Sequence, residues 1–326
     1  MKYFVGIDLG GTNIKAGIVD EQGKIICKDR MKTNAARDQL AIVRDMALMA
    51  EKVIKQAGKN VSEIEAIGIG SPGTPDNDTG YLIYANNLPF RNLPMRKEIR
   101  KHLDLPVFID NDANVAALAE SVAGGAHGAG NAVAITLGTG VGGGVVINHR
   151  IYSGFNHAGC EVGHIVIMAG GEDCTCGRKG CFEAYASASA LVRETEKAAR
   201  NNPDSILNRL IAENGGHADG RTAFIGMREG DKAASEVVDF YIEMLAEGLG
   251  NVINGYMPEV IVIGGGVCNE GDALLIPVRE RALKKAYLAP NVAIPRIELA
   301  TMGNDAGIVG AAMMAMNCLE DGIEGK

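Results

Sequence analysis

Two stretches of this chain carry the same pattern at a fixed offset. Residues 7–20 read Ile-Asp-Leu-Gly-Gly-Thr-Asn-Ile-Lys-Ala-Gly-Ile-Val-Asp, and residues 135–148 read Ile-Thr-Leu-Gly-Thr-Gly-Val-Gly-Gly-Gly-Val-Val-Ile-Asn. They align without a gap: Ile7 with Ile135 (135 − 7 = 128), Leu9 with Leu137, Gly10 with Gly138, and Ile18-Val19 with Val146-Ile147. Each copy reads as an apolar strand, a glycine-rich turn and a second strand, which is a β-hairpin. Glycines in such turns let backbone N–H groups approach a ligand with no Cβ in the way, and successive N–H groups form an anion-binding concavity. A duplicated hairpin restricts the chain to two similar halves, which could hold a polyphosphate from both sides. Neither copy is Gly-x-x-x-x-Gly-Lys-Ser/Thr, so a P-loop is excluded. Neither is a Gly-x-Gly-x-x-Gly that opens a helix, which argues against a dinucleotide fold.

A third glycine cluster, Gly264-Gly265-Gly266, follows the apolar run 259–263 and precedes a helical pattern near 271–286. That is the strand end where open α/β sheets place ligands, and a flat ring such as adenine fits against a bare backbone. Periodicity predicts further strands near 3–8, 14–20, 24–32, 64–70, 106–110, 131–137, 143–148 and 293–298. Helices are predicted near 38–57, 94–103, 112–123, 185–200, 203–213, 231–254 and 305–318. Strands and helices interleave, so the fold class is α/β: two similar domains flanking a cleft. The stretch 71–94 reads as a long loop or small excursion. The helix near 305–318 is rich in small and pliable residues that suit packing back on the first domain. The last seven residues read as a frayed tail.

The chain has 326 residues, 47% of them apolar, with 43 glycines and no Trp. That length suits two domains. A formal net charge of −8, with no basic stripe, argues against a nucleic-acid partner. No segment approaches the ~20 apolar residues of a membrane span, and the start lacks the features of a signal peptide. No membrane partner and cytoplasmic residence follow as expectations.

Chemistry concentrates in two places. The stretch Glu161-x-x-His164 … Cys174-x-Cys176 … Cys181-x-Glu183 sets three thiols and an imidazole where they can close on one ion, between two carboxylates. Soft thiolates with imidazole suit Zn2+, and four protein ligands make a closed structural site with no open position for a reactive water. Such a metal holds the loop that presents Glu161 and Glu183. Cys27, Cys160, Cys268 and Cys318 stand singly in apolar surroundings and read as buried small hydrophobes. The second place is Asp110-Asn111-Asp112-Ala113-Asn114, where a strand runs into a helix. One of these residues serves as a helix N-cap, and four polar side chains exceed what capping needs. Asp112 is the candidate general base, because transfer of a phosphoryl group to an alcohol needs a carboxylate within reach of the attacking hydroxyl.

Asp8-Leu-Gly-Gly-Thr-Asn-Ile-Lys15, Ile109-Asp-Asn-Asp-Ala-Asn114, Thr136-Leu-Gly-Thr-Gly-Val-Gly-Gly143, Glu161-Val-Gly-His164 and Cys174-Thr-Cys-Gly-Arg-Lys-Gly-Cys-Phe-Glu183 together resemble the ROK family of sugar kinases and repressors. That family lies within the actin-like ATPase superfamily, and the resemblance runs over essentially the whole chain. It implies two ribonuclease H-like domains: a smaller one, 1–108 with about 305–326, and a larger one, 109–304, carrying the zinc loop. It is strongest to the ATP-dependent glucokinases, whose Asn-Leu-x-Trp stretch Asn86-Asn87-Leu88-Pro89-Phe90 resembles. The implied activity is phosphorylation of glucose at O6, with Asp112 as base. Asn111, Asp112, Glu161, His164, Glu183, Asn87, Ser71 and Gly73 are implied sugar ligands, and His164 would serve both zinc and sugar. Asp8 would orient water around Mg2+, with Lys15 near the phosphates of ATP. Gly10, Gly11, Thr12, Asn13, Gly138, Thr139 and Gly140 would cradle those phosphates, and Gly264, Gly265 and Gly266 the adenosine. His164, Cys174, Cys176 and Cys181 would hold structural Zn2+. A homodimer is implied. Cys160 stands where the family usually has Gly, and Phe90 where glucokinases often have Trp; both are expected to shape the pocket rim. Relatives with the same hydroxyl-binding residues act on N-acetylglucosamine, N-acylmannosamine, mannose, allose or fructose. A repressor is disfavoured, since the first strand leaves no room for a helix-turn-helix, and a non-catalytic sugar-binding role is the remaining alternative.

Overall fold

The computed structural model of the protein describes residues 1–85 and 88–326. In chain order the elements are β1 (Tyr3–Leu9), β2 (Asn13–Asp20), β3 (Ile25–Lys32), α1 (Gln39–Gln56), β4 (Ala66–Ser71), β5 (Thr74–Asp76), β6 (Tyr81–Tyr84), β7 (Arg91–Leu93), α2 (Met95–Arg100), β8 (Val107–Asn111) and α3 (Asp112–Ala123). There follow β9 (Ala132–Leu137), β10 (Val141–Ile147), β11 (Arg150–Tyr152), α4 (Glu183–Ala186), α5 (Ala188–Asn201), α6 (Leu207–Glu213), α7 (Thr222–Arg228), α8 (Lys232–Tyr256), β12 (Val260–Gly264), α9 (Asp272–Lys285), β13 (Arg296–Leu299) and α10 (Ala306–Glu320).

The duplication legible in the sequence is a duplication of topology. One five-stranded sheet has the order β3-β2-β1-β4-β8 and the other β11-β10-β9-β12-β13. In each, the hairpin strands stand third, second, first, and two later strands extend the sheet on the other side of the first. β1 is antiparallel to β2 and parallel to β4, and β4 is parallel to β8. β10 is antiparallel to β11, and β12 parallel to β13. β1 ends at Leu9 and β9 at Leu137; β2 begins at Asn13 and β10 at Val141, which is the same offset of 128 (141 − 13).

Contacts divide the chain into two compact units, 1–134 with 144–160 and 300–326, and 135–143 with 161–299. In the first unit, α1 starts at Asp38, whose side chain accepts from the Leu40 N–H at 2.8 Å. Its stripe of Ile42, Val43, Met46, Met49, Val53 and Ile54 packs with Val5, Ile7, Leu9 and Ile14 in one core. The opposite face of the sheet receives α10 in an unusual way. Gly17, Gly6 and Gly68 are register partners across β2, β1 and β4. A Cβ at Gly6 would collide with the Ile308 carbonyl, one at Gly68 with the Ala311 carbonyl, and one at Gly17 with the Ile308 side chain. α10 therefore lies directly on strand backbone along a track without side chains. Its Gly310 meets the Val115 carbonyl of α3 in the same way.

The described residues of the stretch 71–94 are more ordered than its composition suggests. β5, β6 and β7 form a small antiparallel sheet, and Leu82, Leu88, Phe90 and Leu93 enter the core. Arg96, buried, spends its guanidinium on the carbonyls of Val107 at 2.9 Å, Asp78 at 3.1 Å and Asn77. Phe90 is fully buried, so its expected place on a pocket rim is corrected: it is a core residue. The tail is not frayed either. The Val107 N–H donates to the Gly325 carbonyl at 2.9 Å, and Arg150 pairs with Asp321 at 2.8 Å.

In the second unit, α8 is the longest helix described. Asp231 caps it by accepting from the Ala234 N–H at 2.8 Å. Tyr241 on α8 donates its hydroxyl to the Ala186 carbonyl at 2.8 Å, and Phe182 packs flat against Gly248. α7, absent from the sequence-based map, starts where Asp219 accepts from the Thr222 N–H at 3.0 Å. The helix expected over 203–213 begins at Leu207; the Ile206 N–H just ahead of it bonds to the Asp231 carboxylate at 3.0 Å. Among the described residues no helix is long and apolar enough to cross a membrane.

The glycine track gives a prediction with a definite sign. By strand propensity alone, Gly68→Ala should stabilise by about 0.5–1 kcal/mol. Because the added methyl meets the backbone of α10, it should instead destabilise by about 1–3 kcal/mol, the usual cost of overpacking. Urea unfolding of the variant checks this through a lowered midpoint.

Candidate active site and metal centre

In the first unit the Gly10–Asn13 turn is closed by its own backbone, with the Gly10 N–H donating to the Asn13 carbonyl at 2.9 Å. Thr33 anchors it from β3's end, its hydroxyl donating to the Gly10 carbonyl at 2.6 Å and its N–H to the Thr12 carbonyl at 3.0 Å. Gly11 and Thr12 are exposed. Asp8 and Lys15 face each other across β1 and β2, and the ammonium reaches the carboxylate at 2.8 Å. Lys15 also donates to the Asn304 carbonyl at 3.4 Å. The first turn of α10 comes down on the same point, since a Cβ at Gly307 would strike the Asp8 carboxylate.

Also in the first unit, the ends of β4 and β8 bring together Ser71, Gly73, Asn111 and Asp112. Ser71 and Asn111 are register partners. The Asn111 amide donates to the Gly73 carbonyl at 3.1 Å, and Gly73 holds a φ of 98°, which suits only glycine. The division of labour in the polar cluster is now explicit. Asn111 is the N-cap of α3 and accepts from the Ala113 N–H at 2.9 Å. Asp110 is buried and accepts from the Asn111 N–H at 2.6 Å and the Asn114 amide at 2.8 Å, and burial raises its pKa. Asp112 is exposed in the first turn of the helix, its carboxylate also taking the Ala113 N–H at 2.9 Å. Asn87 lies outside the described residues. Cys160 sits at φ 63°, a conformation that favours glycine, which is a physical reason for Gly at that place.

The second unit contains the other turn. The Gly138 N–H donates to the Gly140 carbonyl at 3.0 Å, and the Gly138 carbonyl accepts from the Ala188 N–H at 2.8 Å. Gly265, at φ 108° and exposed, lies on the Leu137 backbone, where any Cβ would collide with the Leu137 carbonyl; exposed Gly266 follows and Gly264 ends β12. The bare backbone expected at the third glycine cluster is therefore present.

His164, Cys174, Cys176 and Cys181 converge, with one ligand atom from each lying within 4.8 Å of all the others. The separations suit a tetrahedral ion. Metal–sulfur bonds of about 2.3 Å give sulfur–sulfur edges of about 3.7 Å. Cys176 Sγ and Cys181 Sγ are 3.7 Å apart, and Cys174 Sγ is 3.6 Å from His164 Nδ1. The loop is wound by its turns: the Cys174 N–H donates to the Arg178 carbonyl at 2.9 Å and the Gly177 N–H to the Cys174 carbonyl at 3.0 Å, with Gly177 at φ 86°. Glu161 is exposed and opens the Val162–His164 turn. Glu183, first in α4, accepts from the Thr175 hydroxyl at 2.9 Å and the Cys174 thiol at 3.7 Å through Oε1, and from the Val141 N–H at 3.1 Å through Oε2. Sequence reasoning gives Thr175 only a turn-forming place in the cysteine loop and Val141 no individual role. Thr175 sits inside the Cys-x-Cys motif and carried a signal of place, whereas Val141 carried none.

Of the four single cysteines only Cys318 is buried; Cys27, Cys160 and Cys268 are half-buried, so the expectation that all four are buried is corrected. Burial still pushes the Cys268 thiol up to about 12 and that of Cys318 to about 11.

Within the cluster, hydrogen bonding from the Arg178 backbone lowers the pKa of exposed Cys176, while burial and the neighbouring thiols push Cys181 up to about 12. A lower pKa means more thiolate at pH 8. In metal-free protein at pH 8, iodoacetamide should therefore modify Cys176 more than about tenfold faster than Cys181, since one pKa unit alone is a factor of ten in thiolate fraction. Peptide mass spectrometry reads the order, and equal rates would contradict it.

With the geometry in place, comparisons with known proteins agree across the whole chain. The sequence profile of the ROK family matches residues 4–317. A glucokinase of Halalkalibacterium halodurans is 38% identical over 328 aligned positions, covering 99% of this chain and 98% of the relative. Among solved structures, the ROK hexokinase from Thermus thermophilus superposes with a TM-score of 0.81 at 33% identity, covering 98% of this chain and 99% of that one. A ROK family glucokinase from Streptomyces griseus, solved with glucose and AMPPNP, gives 0.75 at 31% identity, covering 97% and 99%. The α/β class with two sheets of like topology is the actin-like ATPase fold of these kinases. The chain belongs to the ROK family.

Proposed function

We propose that the protein is an ATP-dependent sugar kinase that phosphorylates glucose at O6. The observation that carries this reading is full-length similarity to glucokinases at a level where fold and motifs coincide, together with the strand-end constellation of Ser71, Gly73, Asn111 and Asp112. Asp112 is the general base: exposed at a helix N-terminus, where the macrodipole favours a carboxylate, it takes the proton of the attacking hydroxyl. Asn111, Ser71, Gly73, Asn87, Glu161, His164 and Glu183 pair the remaining hydroxyls. Such a site rejects an analogue lacking one, since an unpaired buried group costs about 1–3 kcal/mol. The two glycine turns, Gly10–Asn13 and Gly138–Gly140, offer N–H groups to phosphate, and Lys15 adds a positive charge beside them. Asp8 orients the water shell of Mg2+, and Gly264–Gly266 borders the adenosine.

His164 through Nδ1, with Cys174, Cys176 and Cys181, would hold zinc, leaving Nε2 of the imidazole for a sugar hydroxyl. When bound, zinc supplies a structural cross-link and Mg2+ supplies charge neutralisation at the phosphates. The expected functional domains are 1–108 with about 305–326, and 109–304, acting as a homodimer in the cytoplasm.

Two measurements test this reading. Asp112→Asn should lower kcat for glucose at least about 100-fold, the low end of general-base effects; activity within tenfold of the parent would remove Asp112 from the role. The purified protein should carry about one zinc per chain, and Cys181→Ser should lose it. Elemental analysis that finds no zinc in the parent would refute the metal assignment.

A further inference from the structure

Glu183 is engaged in a way that a sugar ligand alone does not require. Both of its oxygens are taken by protein donors, and these donors lie on different segments. Oε1 accepts from the Thr175 hydroxyl at 2.9 Å, inside the cysteine loop; the Cys174 thiol, 3.7 Å away, can donate to it only while it holds no metal. Oε2 accepts from the Val141 N–H at 3.1 Å, at the end of the second glycine turn. The approach is close enough that a Cβ at Gly140 would collide with this carboxylate.

The same turn is gripped at two further points by the same stretch of chain. A Cβ at Gly163, next to His164, would collide with the Val141 carbonyl, and the Ala188 N–H donates to the Gly138 carbonyl at 2.8 Å. Each of these grips on the Gly138–Val141 turn comes from residues 163–188, the stretch that also supplies the four converging metal ligands. Thr175 lies between two of those ligands. Its hydroxyl can hold Glu183 only while the cysteine loop keeps its shape, and the ligand cluster closes that loop alongside the Val166–Cys181 and Asp173–Lys179 bridges and the Glu172 N–H bond to the Tyr185 hydroxyl at 2.7 Å.

We infer that Glu183 is a positioning residue, a strut that transmits the closed shape of the metal loop to the Gly138–Val141 turn and so fixes the N–H groups of Thr139 and Gly140 for a phosphate. The nucleotide part of this inference rests on the kinase reading above; the mechanical part does not. Preorganised donors are worth more than donors that must be ordered when the ligand arrives. Metal loss should therefore be felt at the nucleotide as well as at the sugar.

The test uses full-length zinc-loaded protein and two readouts, neither of which needs turnover: hydrogen–deuterium exchange of residues 138–141, and AMPPNP affinity without sugar. Chelation of the metal and Glu183→Ala should each speed exchange of that segment at least about tenfold and weaken AMPPNP about tenfold, near 1.4 kcal/mol. Exchange in α8 and α10 should stay unchanged. Thr175→Val, which leaves the carboxylate in place, should move both readouts in the same direction by less, with zinc content intact and the binding affinity for glucose unchanged. If Glu183→Ala loses protection throughout the chain, Thr175→Val and chelation decide. Unchanged exchange at 138–141 under these treatments would overturn the strut. Faster exchange with undiminished AMPPNP affinity would overturn its positioning role. A parent protein that binds no AMPPNP would instead refute the kinase reading, while the exchange data still decide the mechanical part.

Discussion

The row Gly17, Gly6 and Gly68 is the constraint on which the first unit depends. Three adjacent strands give up their side chains at one level, and α10 lies on the exposed backbone at a distance that no Cβ would permit. That contact fixes the height and direction of the helix, and with them the position of its first turn. Gly307 is thereby set against Asp8, where the Asp8–Lys15 pair crosses the mouth of the first glycine turn. At its other contact, Gly310 on the Val115 carbonyl, α10 fixes α3, the helix that begins with Asp112. One stripe of small residues thus ties the residues proposed for metal-water orientation and for proton abstraction to the same helix.

In the second unit the corresponding work is done by two hydrogen bonds and one close backbone approach. Gly163, Glu183 and Ala188 surround the Gly138–Val141 turn, and the residues that bring them there are those that converge as metal ligands. The two turns share a strand frame and an offset, and each is closed by its first glycine's N–H, to Asn13 in one and to Gly140 in the other. The strand frame is common to the two halves, and each holds its turn by its own means.

Much of this was legible in the sequence, for reasons specific to each element. The hairpins could be read because alternation of apolar residues and a glycine cluster recur at one offset, and both sheets confirm it. The cysteine loop could be read because its ligands fall within one short segment rich in turn residues. The three short strands between 74 and 93 were hidden by Gly, Pro, Asn and Asp, whose turn propensity outweighs three- or four-residue runs; a buried Arg96 and four apolar side chains order that stretch, and neither is a local signal. The tail looked frayed because the bond that ties down its end, Gly325 to Val107, joins residues more than two hundred apart. Phe90 looked like a rim residue by position, and only tertiary packing shows it in the core. The Glu183–Val141 bond joins residues 42 apart in sequence and leaves no local pattern.

The most direct test of the central claim is a pair of kcat/KM values with Mg-ATP, for glucose and for N-acetylglucosamine, from initial rates. A site whose carboxylates and amides each pair a glucose hydroxyl should favour glucose by more than about tenfold, near 1.4 kcal/mol of transition-state discrimination. Equal or better turnover of the N-acetyl sugar would contradict glucose as the substrate, and no turnover of either would contradict the kinase itself.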